Sequence, residues 1–250
     1  MFSTFRKLTG AAVVASLMFA SSSAFASGSK MYRVTITNIT NSMIFTPILV
    51  ASHREKISIF ELGEEASDAL AEIAESGDFD RLAELLANNG ADVNDSVNPL
   101  MPGHSVDVMV SAEHGARRIT VASMLLPTND GFFALNGVKV PKRGSVTYYS
   151  PGYDAGSEFN DDDCAHIPGP QCGGEALSDA SDSDEGYVHI HRGIKGEVNI
   201  PVTEPASAFE GVVFDWRNPV AKITITRVRS HGDDDDDDED DDDDDDDDDD

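Results

Sequence analysis

The chain has 250 residues, with 18 lysines and arginines against 47 aspartates and glutamates, so its formal net charge is -29 at pH 7. Hydrophobic residues still make up 40% of the chain, which is enough for one domain with a buried core. Nucleic acid is not expected as a partner, because the chain has no basic surplus to displace counterions from phosphates. Collagen-like, coiled-coil and polytopic membrane classes are also excluded, because the sequence lacks their periods and their apolar spans.

The first 26 residues have the pattern of a secretory signal peptide. Two basic residues precede the apolar run Leu8–Ala20, which is too short to span a bilayer and has no polar face to lie on one. Small residues at Ala24 and Ala26 fit cleavage before Ser27. The sequence therefore predicts a secreted or periplasmic protein with no transmembrane segment after cleavage.

Residues 27–232 are predicted to form one domain, in which apolar and polar residues alternate as they do in half-buried strands. Pro47 indicates an edge position or a bulge in the second strand. The predicted strands are Tyr32–Asn38, Phe45–Ala51, His104–Ser111, Arg118–Leu125, Phe132–Gly137, Ser145–Ser150, Gly186–His191, Glu197–Ile200, Gly211–Trp216 and Ala221–Val228. Turn residues separate these strands and few helices intervene, so we predict an all-β fold, an antiparallel β-sandwich.

One region breaks the strand pattern. Glu64–Ser76 and Asp78–Ala87 carry apolar residues at helical intervals, with Gly77 between them and Gly90 suited to a C-cap. This predicts a helical-hairpin insertion at residues 64–87. Its apolar stripe favours packing across one end of the sandwich, and docking of a partner on the helix pair is the alternative.

Two segments are strongly acidic. Ser178–Glu185 is too polar and self-repelling to pack, so we predict a mobile loop. Asp233–Asp250 is all aspartate except Glu239, which predicts a disordered tail. The tail is either a low-affinity binder of calcium, magnesium or cationic partners, or a solubilising end.

The two cysteines, Cys164 and Cys172, flank a short loop that contains two prolines. In an oxidising compartment this spacing favours a disulfide. A metal site formed by both cysteines and His166 is the alternative, but the spacing lacks the close cysteine pair that zinc knuckles use.

Familiar catalytic motifs are absent from the sequence: there is no G-x-S-x-G, no H-E-x-x-H, no P-loop and no Rossmann glycine pattern after a strand. The protein is therefore not predicted to be an enzyme of a motif-bearing kind. A glycosidase needs only two well-placed carboxylates, which leave no local signature. A secreted hydrolase that uses acidic-loop carboxylates or a histidine pair thus remains the alternative function.

Acidic side chains are concentrated in two segments inside the domain, Pro127–Phe133 and Tyr153–Asp163. Calcium takes six or more hard oxygen ligands, and two loops at the same end of a sandwich can supply them as carboxylates, carbonyls and water. Gly131 and Gly156 allow each loop to turn tightly while exposing carbonyls. These loops predict a calcium site, with solvated acidic turns as the alternative.

The same loops carry two motifs, S-M-x-x-P-x-x-D within Val121–Phe133 and D-A-G-[ST] within Tyr153–Glu158. Together they resemble the spondin N-terminal domain family, the module found in F-spondin and in many exported bacterial proteins. Tyr32–Asn38 and Asp215–Ile225 are similar to the ends of the bacterial versions. The resemblance covers most of Met31–Val228.

This resemblance implies an antiparallel β-sandwich akin to lipid-binding C2 domains, with calcium at one end of its sheets. Asp130 and Asp154 match the aspartates of the two motifs, and Glu158 matches a position that is usually aspartate in the animal domains. The sequence departs from the family at Gly131, which replaces an aromatic residue, and in the long insertion at 64–87. The implied function is structural, adhesive or matrix-associated, with a protein or polysaccharide of the envelope or matrix as the partner.

His189 and His191 lie two residues apart in a predicted strand, so both imidazoles face the same side. They are candidate ligands for a second, transition metal if His166 or His53 supplies a third. The alternative is a pair of histidines that hydrogen-bond carboxylates.

Overall fold

The structure is a computed structural model that describes residues 30–54, 57–112, 115–177, 181, 183–194, 214 and 216–228. The predicted signal peptide at 1–26, the acidic tail at 233–250, the strand at Glu197–Ile200 and most of the strand at Gly211–Trp216 lie outside these residues. The described part of the chain is dominated by antiparallel strands and has two short helices, which agrees with the all-β prediction.

The strands form two antiparallel sheets. In chain order the elements are β1 (Met31–Asn38), β2 (Ile44–Phe45), β3 (Leu49–His53), α1 (Asp68–Ser76), α2 (Asp80–Asn88), β4 (Asp92–Asp95), β5 (Ser105–Ser111), β6 (Arg118–Leu126), β7 (Gly131–Lys139), β8 (Ser145–Ser150), β9 (Gly152–Asp154), β10 (His189–Ile190) and β11 (Ala221–Val228). The four-stranded sheet has the order β5-β1-β11-β8. The seven-stranded sheet has the order β10-β9-β7-β6-β3-β4, with β2 also paired to β6.

The main core takes side chains from both sheets. Val34 on β1 and Ile225 on β11 are fully buried in one cluster with Val121 on β6 and Phe133 on β7. The ring of Phe133 packs against that of Phe45, with centroids 4.4 Å apart. The alternating pattern in β1 and β11 follows from this arrangement, because successive side chains in a strand point to opposite faces.

A second core lies on the other face of the seven-stranded sheet. Phe132, the neighbour of Phe133 on β7, is buried there together with Leu70 and Ile73 of α1 and Leu86 of α2. Two consecutive buried phenylalanines are therefore explained by a strand that is covered on both faces. The helical hairpin packs on a sheet face, with α1 against β6 and β7 and α2 against β3 and β4, and not across one end of the sheets as the sequence predicted.

The helices begin and end with ordinary local signals. The Ser67 hydroxyl caps α1 by accepting a hydrogen bond from the Leu70 N–H, and Gly77 ends it in the left-handed conformation at φ 75°. Both helices have nine residues, shorter than the predicted Glu64–Ser76 and Asp78–Ala87. Among the described residues there is no helix with the length and apolarity needed to cross a membrane.

The predicted strand Phe45–Ala51 is interrupted at Pro47, and its two parts, β2 and β3, both pair with β6. Of the two predictions for Pro47, an edge position or a bulge, the edge position is wrong, because β3 lies between β6 and β4, and the strand is instead interrupted at the proline. Proline has no backbone N–H to donate to a neighbouring strand. A break in the strand accommodates this as well as an edge position does. The predicted strand Gly186–His191 forms only His189–Ile190.

Candidate metal centre

Strand pairing places Asp130 and Asp154 next to each other. Asp130 immediately precedes β7 and Asp154 is the last residue of β9, and the antiparallel register pairs Gly131 with Asp154. The Ala155 N–H also donates to the Asp130 carbonyl oxygen at 3.2 Å. The two motifs singled out in the sequence therefore meet at one end of the seven-stranded sheet.

The Asp130 carboxylate is completely buried, and only one of its two oxygens accepts hydrogen bonds. Its Oδ2 accepts hydrogen bonds from the N–H groups of Ser157 at 2.8 Å and Glu158 at 3.1 Å. Its Oδ1 is buried without a hydrogen-bond partner, although the residue is 0% exposed. Burial, followed by repulsion from Asp154, raises the pKa of Asp130 well above its usual range.

Asp154 is also buried but is better satisfied. Its Oδ1 accepts the Gly156 N–H at 3.0 Å, and its Oδ2 accepts the Asn160 side-chain amide at 2.8 Å. The Nε2 atoms of His189 and His191 lie 3.7 Å and 3.8 Å from its two oxygens. Burial raises the pKa of Asp154, and the nearby His189 partly offsets that rise.

Glu158 completes the predicted set and brings in a residue that the sequence did not predict. It is only 6% exposed, and burial followed by repulsion from Glu75 raises its pKa to about 7. Glu75 is itself buried in the last turn of α1. In the sequence, the available signal was a glutamate beside the apolar positions of a predicted helix. Only the packing of α1 in the structure shows that this glutamate approaches Glu158.

Glu185 is a second acidic residue near the site that the sequence did not predict. The Asn160 amide reaches its Oε1 at 3.4 Å, so one amide lies between Glu185 and Asp154. The Oε2 of Glu185 is buried without a hydrogen-bond partner. Part of the segment predicted to be a mobile loop, Ser178–Glu185, thus contributes to the acidic cluster.

Gly156 is required by the close approach of two loops. Its φ is +67°, and a Cβ at this position would lie 2.4 Å from the Tyr187 carbonyl oxygen. The Gly186 N–H donates to the Gly156 carbonyl at 2.8 Å. Any larger residue would push the loop that carries Glu158 away from the segment that carries Glu185.

The histidine pair faces Asp154 in a way that disfavours a transition metal. The Gly193 N–H donates to His191 Nδ1 at 3.0 Å, which places the proton of the neutral ring on Nε2, the nitrogen that faces Asp154. A protonated nitrogen cannot be a ligand. The proposed third ligands are elsewhere: His166 pairs with Asp161 at 2.6 Å, and His53 hydrogen-bonds Thr120 near the opposite end of the sheet.

A disulfide joins Cys164 to Cys172, with the Cα atoms 4.7 Å apart. It closes the loop that follows Glu158 and Asn160. Cysteines bonded in this way are not available as thiolate ligands, so the alternative site with His166 does not form in this structure.

The site residues have the ligand chemistry that a divalent cation requires, but they do not form a complete coordination shell. Among the described residues, no three Asp, Glu, His or Cys side chains are already grouped closely enough to hold a metal. The fit rests on the buried Oδ1 of Asp130, which lacks a partner, and on the two raised carboxyl pKa values beside it. Calcium sites also draw on carbonyls and water, so two or three carboxylates suffice.

The raised pKa of Glu158 makes metal-free stability depend on pH. Its folded pKa of about 7 exceeds the ordinary 4.5, so the folded state keeps a proton that the unfolded state releases between these values. We expect the free energy of unfolding in chelator to fall as pH rises from 5 to 7. Urea denaturation at pH 5, 6, 7 and 8 measures this.

Glu158→Gln is the control for the pH experiment, because it removes the titrating group and keeps the side-chain length. The raised pKa of His166, caused by its bond to Asp161, acts in the same direction and is present in both proteins. The raised pKa values of Asp130 and Asp154 act in the same direction as well, and Glu158 contributes to those of Asp130 and His166. The difference between wild type and variant therefore reports Glu158 together with its effect on these neighbours. A variant with the same pH slope as the wild type would contradict the assignment.

The chain matches no protein-family model, and a comparison with curated proteins found no match. The resemblance to spondin N-terminal domains therefore rests on the two motifs and the flanking strands alone, and it stays a prediction.

Proposed function

We propose that this protein is an exported calcium-binding module whose two sheets form a C2-like β-sandwich of the spondin type. Asp130, Asp154 and Glu158 would hold the ion, with backbone carbonyls and water completing its coordination. The role is structural, adhesive or matrix-associated, and the partner is a protein or polysaccharide of the envelope or matrix. The sandwich is supported by the core shared between the sheets, and the role by the sequence resemblance.

One observation carries the calcium proposal: a completely buried carboxylate, Asp130, has an oxygen without a partner and lies beside a second buried carboxylate, Asp154. Burying an unpaired charge costs several kcal/mol unless a counter-charge or a proton neutralises it. A bound dication would neutralise both groups and supply the missing partner of Oδ1. Calcium suits this position better than magnesium because it tolerates irregular coordination geometry.

The test is thermal unfolding of protein that ends at Gly232, so that the acidic tail does not bind the added metal. At calcium concentrations one hundred times Kd, we expect a gain of about 2.7 kcal/mol over protein in chelator. For a domain of this size that gain corresponds to a rise of roughly 5–10 °C in Tm. Magnesium at the same concentration should give a smaller rise, and equal Tm values in calcium and chelator would refute the proposal.

The two alternative functions have less support. Asp130 is 0% and Asp154 2% exposed, so neither carboxylate is accessible to a polymeric substrate as a hydrolase would require. The apolar stripe of the hairpin is occupied by its own sheet, with Leu70 and Ile73 fully buried. Partner docking through that stripe would require the second core to open.

A further inference from the structure

The two ends of the described domain carry opposite charge. β7 runs from Gly131, beside the carboxylate cluster, to Lys139, and its eight steps of ~3.3 Å separate these residues by roughly 26 Å. At the Lys139 end, basic side chains that are exposed or half-buried gather on neighbouring segments. This surface, called the basic end below, consists of Arg117, Arg118, Lys139, Lys142, Arg143 and Arg227.

The strand register brings these residues together from four separate segments. Arg118 pairs with Lys139 across β6 and β7, and the Val140 N–H donates to the Arg117 carbonyl at 3.0 Å. On the other sheet, Arg227 donates its Nη1 hydrogen to the Lys142 carbonyl at 2.8 Å. The basic end therefore lies at the ends of strands from both sheets.

Few described acidic residues lie near this surface. By strand register the nearest is Asp92, which pairs with Ser52, one position from the His53–Arg118 pair. Its Oδ2 already accepts the N–H of Ser111. The basic end thus gathers six basic residues in a chain whose formal net charge is -29.

The acidic tail leaves the domain at this same end. β11 ends at Val228, which pairs with Met31, and the acidic run Asp233–Asp250 begins after residues 229–232. An 18-residue run reaches up to roughly 60 Å when extended. Four strands side by side are only about 15 Å wide, so the tail is long enough to cover the basic end.

We propose that Asp233–Asp250 docks on the basic end of its own domain. Charge complementarity and the short connection favour this surface, whereas the opposite end carries the acidic residues Asp130, Asp154 and Glu158 and no comparable group of basic side chains among the described residues. Tethering gives the tail a high effective concentration at the basic end. The docked tail would shield this surface from other polyanions, which gives the tail a role distinct from metal binding or solubility.

The experiment places a nitroxide label on Asp250→Cys in the full mature chain and records paramagnetic broadening of backbone amides by NMR. The native cysteines are both in the disulfide, so the introduced thiol is labelled selectively. The reference is a spin-labelled protein in which a Gly/Ser tail of equal length replaces the acidic tail. In chelator at low salt, we expect the amide signals of residues 139–145 to be at most half as intense with the acidic tail as with this reference tail. At 1 M salt, where the screening length is about 3 Å, this difference should vanish.

A matched pair of double variants locates the contact. Lys142→Glu with Arg143→Glu reverses two charges of the basic end and should restore the amide intensities. Arg81→Glu with Lys222→Glu makes the same charge change at exposed positions on α2 and on the far part of β11, and should leave the broadening unchanged. Amide spectra of both variants verify that each is folded.

Three results would overturn the proposal. Equal broadening by the aspartate and Gly/Ser tails would mean that the covalent connection alone brings the label near the domain. Broadening that persists in Lys142→Glu with Arg143→Glu would mean that the tail does not contact the basic end. Broadening of an isotope-labelled copy mixed with a separate spin-labelled copy would mean that the tail binds a second molecule. Because the chelator removes calcium throughout, these outcomes are independent of the proposed calcium site.

Discussion

Replacing Asp130 with asparagine is expected to stabilise the protein in chelator and to abolish its stabilisation by calcium. Asparagine keeps an oxygen that can accept the Ser157 and Glu158 N–H groups, and it removes the buried charge that faces Asp154. We expect a gain of about 1–3 kcal/mol in chelator, because the substitution removes the repulsion between two neighbouring buried carboxylates, which is equivalent to roughly one to two pKa units. The calcium-dependent rise in Tm should fall from roughly 5–10 °C to near zero.

The measurement is a four-way comparison of Tm for wild type and Asp130→Asn, each in calcium and in chelator, with protein that ends at Gly232. Glu84→Gln, which removes one exposed charge on α2, is the control and should change neither Tm appreciably. A variant that loses stability in chelator and keeps the calcium response would show that Asp130 is a structural hydrogen-bond acceptor and not a ligand.

Phe133→Ala is expected to cost about 3–5 kcal/mol in the free energy of unfolding, because it leaves a cavity between the sheets. Phe133 is 0% exposed, belongs to the core shared by both sheets, and packs on the ring of Phe45. The surrounding side chains belong to paired strands, so they have little freedom to collapse into the space. Urea denaturation measures the loss as a lower midpoint at an unchanged slope.

Tyr149→Ala is the control for this core substitution. Tyr149 lies on β8 with 57% of its surface exposed, and its truncation should change stability by about 0.5 kcal/mol or less. A loss below about 1 kcal/mol for Phe133→Ala would mean that the two sheets do not share a tightly packed core.

The sequence predicted the strands that have one face in the core, and it also predicted β6 and β7, which are buried on both faces. β1, β5, β8 and β11 alternate clearly, because every second side chain contacts the opposite sheet. β9 and β4 were missed, since they are short and contain glycine or polar residues that signal turns. Their pairing depends on neighbouring strands, which no local pattern reports.

The candidate metal centre likewise contains residues that the sequence predicted and residues that only the packing revealed. The motifs around Asp130 and Asp154 indicated two acidic loops, and strand pairing between β7 and β9 brings them together. Glu75 and Glu185 were not predicted, because each reaches the cluster through a helix or loop that is remote in sequence. The approach of His189 and His191 to Asp154 likewise follows from the pairing of β10 with β9.

The sequence by itself determined the predominance of strands, the existence of a helical hairpin and the two acidic loops, because periodicity and turn residues act over a few neighbouring positions. Only the tertiary structure decided that the hairpin covers a sheet face, that Asp130 is buried with an unpaired oxygen, and that basic residues gather where the acidic tail begins. These features depend on register and packing between distant segments, where burial sets the cost of each charge.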